Sequence, residues 1–153
     1  MSLTAHLAHE FVTAIPESLE ESVLYISIPY ATAAHLCACG CGREVVTPIT
    51  PTDWELTFDG ESVSLHPSVG NWSFPCQSHY VIKRGRVQWA PRLTREQIQR
   101  GRERDRMRKT RYAELRDAGE KPVDSPSERV APRGVFARLR ALFDRASQTR
   151  GAG

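Results

Sequence analysis

Hydrophobic positions crowd into the first ninety residues of the chain and thin out after them. Residues 23–28 (VLYISI) are β-branched and aromatic almost throughout, the pattern of a buried strand. Residues 54–58 (WELTF) alternate apolar with polar, and Asp59 and Gly60 then turn the chain into a second alternating run at 62–65. The same alternation recurs at 80–82 and 87–89, around a turn that contains Arg84 and Gly85. Residues 11–15 and 43–49 are further strand candidates, the latter interrupted at Pro48. About six short strands with two hairpins predict a mainly β fold, a small antiparallel domain over 1–93.

A different pattern follows Arg92. Thr94 and Gln97 have the spacing of a capping box and open a charged helix over 94–118. Only Ile98, Met107, Tyr112 and Leu115 are large and apolar there, too few for a wide core-facing stripe, so a mostly solvated helix is expected. Three prolines mark 119–134 as a linker. Over 135–146, Val135, Phe136, Leu139, Leu142 and Phe143 share one face of a short amphipathic helix. Between Arg95 and Asp117 nine Arg/Lys stand against five Asp/Glu, a larger excess than the +3 of the whole chain. Basicity therefore belongs to the tail. Its interleaved acids and scarce aromatics count against a nucleic-acid-binding module.

Residues 1–21 lack a basic start followed by an apolar run, and no segment reaches the roughly 18 apolar residues of a membrane span. The expectation is a cytoplasmic protein without membrane attachment, in a compartment that keeps thiols reduced. Four cysteines, three of them within five residues, then suggest a metal before a disulfide. Cys37, Cys39 and Cys41 are also too close in sequence to pair comfortably with one another. Gly40 and Gly42 let the backbone turn tightly enough for several sulfurs to converge. Cys76 brings a fourth ligand from far along the chain, and a structural zinc ion closes that loop. Two ligand sets fit: all four cysteines, or three of them with His79, which completes a Cys-x-x-His spacing with Cys76. An iron–sulfur site or inert buried cysteines are the weaker readings. His35 beside the cluster is either a spare ligand or a polar surface histidine.

Between the two halves of the cluster lies Ser68, flanked by Pro67 and Gly70 at the end of a predicted strand. A serine on a tight turn can meet a substrate, and His79 is available as a general base if the four thiolates hold the metal. Glu44, Asp53, Asp59 and Glu61 are candidates to orient that histidine, with none distinguished by spacing. On the residues alone, an ordinary turn and a ligating or packed histidine explain this segment more simply.

Four segments together carry a resemblance: LYIS at 24–27, HLCACGCG at 35–42, VSLHPSVGN at 63–71 and CQSHY at 76–80. They resemble a bacterial family defined as a domain of unknown function, whose members look like neighbours of ubiquitin-like conjugation systems. Ala38 stands where that family leads one to expect proline, and Val69 where isoleucine is usual; neither departure removes a reactive group. The resemblance implies a serine-type, deubiquitinase-like peptidase that processes or removes a ubiquitin-like protein. It carries Ser68 and His79 forward as catalytic candidates and Cys37, Cys39, Cys41 and Cys76 as metal candidates. The implied partners are the ubiquitin-like protein or its conjugates, together with the activating and conjugating enzymes of such a system. A non-catalytic zinc-binding adaptor in the same pathway is the alternative.

Overall fold

The computed structural model describes residues 3–119. The amphipathic helix expected at 135–146 lies outside them, as does the expected linker from residue 120 onward. Eight strands form two four-stranded sheets. The first sheet has the order β1 (Ala8–Phe11), β2 (Val23–Ser27), β3 (Thr32–Leu36), β4 (Glu44–Pro48). The second has the order β5 (Glu55–Phe58), β6 (Val63–Gly70), β7 (His79–Lys83), β8 (Arg86–Trp89). All neighbours are antiparallel except β1 and β2, which run parallel. The fold is therefore mainly β and antiparallel-rich, with a single helix, α1 (Arg95–Asp117), at the C-terminal end of the described residues.

The inner faces of the sheets share one core. Leu24 and Ile26 of β2, Ala33 of β3 and Val45 of β4 meet Val63, Leu65 and Val69 of β6 and Tyr80 and Ile82 of β7. β2 is covered on its other face too, where Tyr25 packs with Leu19 and Ala34 beneath Val12 and Ile15. That double burial is why its sequence reads as a continuous apolar run instead of an alternating one.

Two strand expectations need correction, and one strand was not expected. The first strand runs over Ala8–Phe11 and not 11–15, because its partner is the start of β2. β3 was not legible: its Ala33-Ala34 centre is a weak strand former in isolation. It is strand because the hairpin partners β2 and β4 pair with it on both sides. β6 does not stop at Leu65 but continues through Pro67 and Ser68 to Gly70. Pro67 has no N–H to donate, and the register with β7 shifts between Leu65 and Val69 before pairing resumes. Ser68 is thus a strand residue, not a turn residue.

α1 begins at the expected cap: Thr94 accepts from the Gln97 N–H, and the Gln97 side chain accepts from the Thr94 N–H. None of its residues is buried. It is held to the β domain by polar contacts, with Lys109 Nζ 2.6 Å from Asp53 Oδ1 and Arg108 Nη2 donating to the Thr52 carbonyl at 2.9 Å. No helix among the described residues is long and apolar enough to cross a membrane.

Candidate active site and metal centre

The alternation of β7 sorts the CQSHY segment into two directions. Tyr80 points into the core, so its neighbour His79 points to the outer face of the second sheet. On β6 the buried Val69 pairs with Tyr80 and Gly70 pairs with His79. Ser68, two residues before Gly70, therefore stands on the same outer face as His79, as a diagonal cross-strand neighbour. The result is a hydrogen bond of 2.9 Å between Ser68 Oγ and His79 Nε2.

The other ring nitrogen decides the direction of that bond. His79 Nδ1 lies 2.7 Å from the main-chain oxygen of Pro91. A carbonyl oxygen only accepts, so Nδ1 carries the proton. In the neutral imidazole Nε2 is then a bare acceptor, and the Ser68 hydroxyl donates to it. Of the four carboxylates considered from sequence, none bonds to His79. Asp53 is taken by Lys109 and Thr50, and Asp59 is taken by the N–H groups of Glu61 and Ser62 in its own turn. The orienting group is a backbone carbonyl, which side-chain spacing could not reveal.

The four cysteines converge as expected. Cys37, Cys39, Cys41 and Cys76 place their sulfurs within 4.8 Å of one another, and all four are free thiols. Individual separations are 3.4 Å for Cys37–Cys39, 3.9 Å for Cys41–Cys76 and 4.0 Å for Cys37–Cys76. A tetrahedral zinc–thiolate site has sulfurs about 3.8 Å apart, from Zn–S bonds of about 2.3 Å. The donor set therefore fits a four-coordinate metal ion. Gly40 and Gly42, both with positive φ, make the tight turns that aim the sulfurs together.

The thiols also have partners beyond one another. Ser78, inward like Tyr80, brings its Oγ to 3.1 Å from Cys37 Sγ. Asn71 Nδ2 donates to Ser78 Oγ at 2.8 Å and approaches Cys37 Sγ at 3.6 Å. With the Asn71 donor filling a lone pair, the Ser78 hydroxyl is free to donate to sulfur. Burial pushes the Cys37 and Cys39 thiols up. Burial acts on Cys76 in the same sense, but the hydrogen bond from the Ser78 N–H, with smaller contributions from the Ser78 side chain and neighbouring thiols, prevails and holds it at about 7. A divalent ion held by these sulfurs would favour the thiolate form of all four.

His35 belongs to neither site. It is fully buried on β3, not a surface residue, with Nε2 2.8 Å from the Tyr80 hydroxyl. Burial lowers its pKa to about 4, so it is neutral near pH 7. It stands outside the group of sulfurs, and His79 commits both nitrogens elsewhere; among the described residues the ligand set that converges is the four-cysteine one.

Residues 11–90, more than half of the chain, match the model of a family described as bacterial ubiquitination-like system serine protease (BubE). The chain belongs to that family. No curated protein and no solved structure matches it. The matched interval contains all four cysteines, Ser68, Asn71 and His79, and ends just before Pro91 and α1.

A cleft of about 340 Å³ opens beside Ser68, between β6 and α1. Trp72 forms part of its wall, with its indole ring 5.0 Å from the His79 ring. Gly70 makes that placement possible, since a Cβ there would collide with the indole.

Proposed function

We propose that this chain is a serine-type peptidase that processes or removes a bacterial ubiquitin-like protein, with Ser68 as nucleophile and His79 as general base. The observation that carries the proposal is the pair of hydrogen bonds on His79, from Ser68 on one nitrogen and to Pro91 on the other. A serine hydroxyl attacks a carbonyl only when a base accepts its proton, and a neutral histidine needs the tautomer with that nitrogen bare. The Pro91 carbonyl supplies the tautomer. Ser68 Oγ attacks the scissile carbonyl while Nε2 takes the proton; Nε2 then returns it to the leaving amine. A water deprotonated by the same nitrogen releases the acyl group from Ser68. The Pro91 oxygen also faces the imidazolium formed in between and stabilises it, more weakly than a carboxylate would.

The metal proposed at Cys37, Cys39, Cys41 and Cys76 is a structural zinc ion. When bound, it supplies charge balance for four thiolates and ties the 37–42 loop to the start of β7. The chain's own residues then hold His79 in place: Cys76 is three positions before it, and Ser78 immediately before it bonds to Cys37.

Ser68→Ala is expected to lower cleavage of a ubiquitin-like fusion by roughly 10⁴-fold or more and to abolish fluorophosphonate labelling. Zinc content and melting temperature should stay at wild-type values. His79→Ala should behave in the same way. Undiminished cleavage by Ser68→Ala would remove the nucleophile, and zinc release by His79→Ala would make that residue a ligand and dissolve the dyad.

A further inference from the structure

The helix outside the family match is one wall of the cleft that holds Ser68. On α1, Ile98, Gly101, Arg102, Asp105 and Arg108 recur at three- and four-residue spacing and line the cleft opposite Ser68 and Trp72. Two features of that face are unexplained by helix formation or by docking. The first is Gly101, a poor helix former in the middle of a helix. A Cβ built on it meets nothing within 4 Å, so no neighbour requires a glycine. The second is charge. Lys109 is paired with Asp53, and Arg108 with Asp105 at 3.0 Å, whereas Arg102 and Arg104, which also line the cleft, have no carboxylate partner among the described residues.

We infer that the cleft between α1 and β6 is a channel for an extended polypeptide segment, which passes over Gly101 to reach Ser68 and places a carboxylate against Arg102 and Arg104. The inference rests on Ser68 being the nucleophile, and it adds the class of substrate segment and the element that selects it. The absent side chain at Gly101 leaves room for a peptide backbone to lie close to the helix. Two guanidiniums without a carboxylate partner among the described residues favour an anionic group on this wall of the cleft; both side chains are exposed, so the attraction weakens as salt rises. An Arg-rich helix also suits nucleic acid, but these two arginines share their cleft with a serine and a tryptophan wall, a geometry fitted to a chain that is to be cut.

Three probes of Ser68 separate the possibilities in the full-length protein. One is a small fluorophosphonate, which needs only the dyad. The others are two pools of pentapeptidyl phosphonates of mixed sequence, identical except that each member carries one Glu in the first pool and Gln in the second. The Glu pool should label Ser68 about two- to fivefold faster than the Gln pool at low salt, the effect of one exposed ion pair. The double variant R102E/R104E should erase or reverse that preference. Gly101→Trp should slow both pools to the rate of the small reagent and leave the small reagent unchanged. Gly101→Ala, which fills only part of the space at that position, should slow the pools less than Gly101→Trp, and unchanged circular dichroism of both variants serves as the folding control. Equal rates for Glu and Gln pools overturn the carboxylate preference. Wild-type pool rates in Gly101→Trp overturn the channel, as does relief of pool labelling by competing single-stranded DNA in place of an acidic peptide. If the small reagent fails to label wild-type Ser68, the nucleophile assignment itself falls, and the channel with it.

Discussion

His35 and Tyr80 show how much a single buried pair is asked to do. Their hydrogen bond crosses the core between the two sheets, and Nδ1 of His35 has no partner of its own. Tyr80→Phe would strand the second nitrogen as well. Leaving a buried polar atom unsatisfied costs about 1–3 kcal/mol, so thermal denaturation should show a clear fall in stability. An unchanged melting temperature would mean that water replaces the hydroxyl. Asn71 and Ser78 are the comparable residues at the thiol cluster. Outer partners of metal ligands are worth about 10–100-fold in affinity. Ser78→Ala and Asn71→Leu should therefore lose zinc at chelator concentrations at least about tenfold lower than wild type. Titration with a chromophoric chelator reads this directly, and coincident curves would deny both residues a part in holding the metal.

At the scale of elements, the attachment of α1 is electrostatic. Asp53 is mostly buried while Lys109 is half exposed, and burial alone would raise the Asp53 pKa. The hydrogen bonds from Lys109 and Thr50 prevail and hold its carboxyl below the ordinary value of 3.8. A depressed carboxylate pKa means that the detached state binds protons more readily than the docked one. The contribution to docking is thus complete above the ordinary value and is lost as pH falls through the depressed one. Asp53→Asn should weaken docking by about 1 kcal/mol or less, the range for a partly exposed pair. Amide exchange along α1 should accelerate in this variant at pH 7, and the wild type should match it only in strong acid. Protection unchanged by the substitution would place the attachment in other contacts, such as the Arg108–Thr52 bond.

For the molecule as a whole, the thiol cluster joins distant parts of the chain. Cys37 to Cys41 follow β3 of the first sheet, and Cys76 precedes β7 of the second. An ion held by all four clasps both sheets at one end of their shared core. Small domains bury limited apolar surface, and metal binding then becomes part of the folding free energy. Purified protein should contain about one zinc ion per chain by elemental analysis, and a strong chelator should cause cooperative loss of β structure by circular dichroism. Folded protein free of metal would sink this expectation. Because Ser78 and His79 are consecutive, chelation should also end fluorophosphonate labelling before the helix signal of α1 is lost.

The sequence by itself determined the local features of this protein. The β-branched run at β2, the turns at Asp59-Gly60 and Arg84-Gly85, the cap at Thr94 and the convergence of glycine-spaced cysteines all rest on neighbours within a few residues, which spacing records. The motif that contains Ser68 and His79 was also visible. What was not visible is what depends on partners brought from elsewhere in the chain. β3 is strand because two other strands flank it, despite its alanines. Ser68 lies in β6 because β7 resumes pairing beyond Pro67, and that pairing puts it diagonal to His79. The histidine's tautomer is set by the carbonyl of Pro91, a group every residue possesses and whose direction only the folded backbone fixes. The cleft between β6 and α1 likewise depends on contacts between residues far apart in sequence, Lys109 with Asp53 and Arg108 with Thr52.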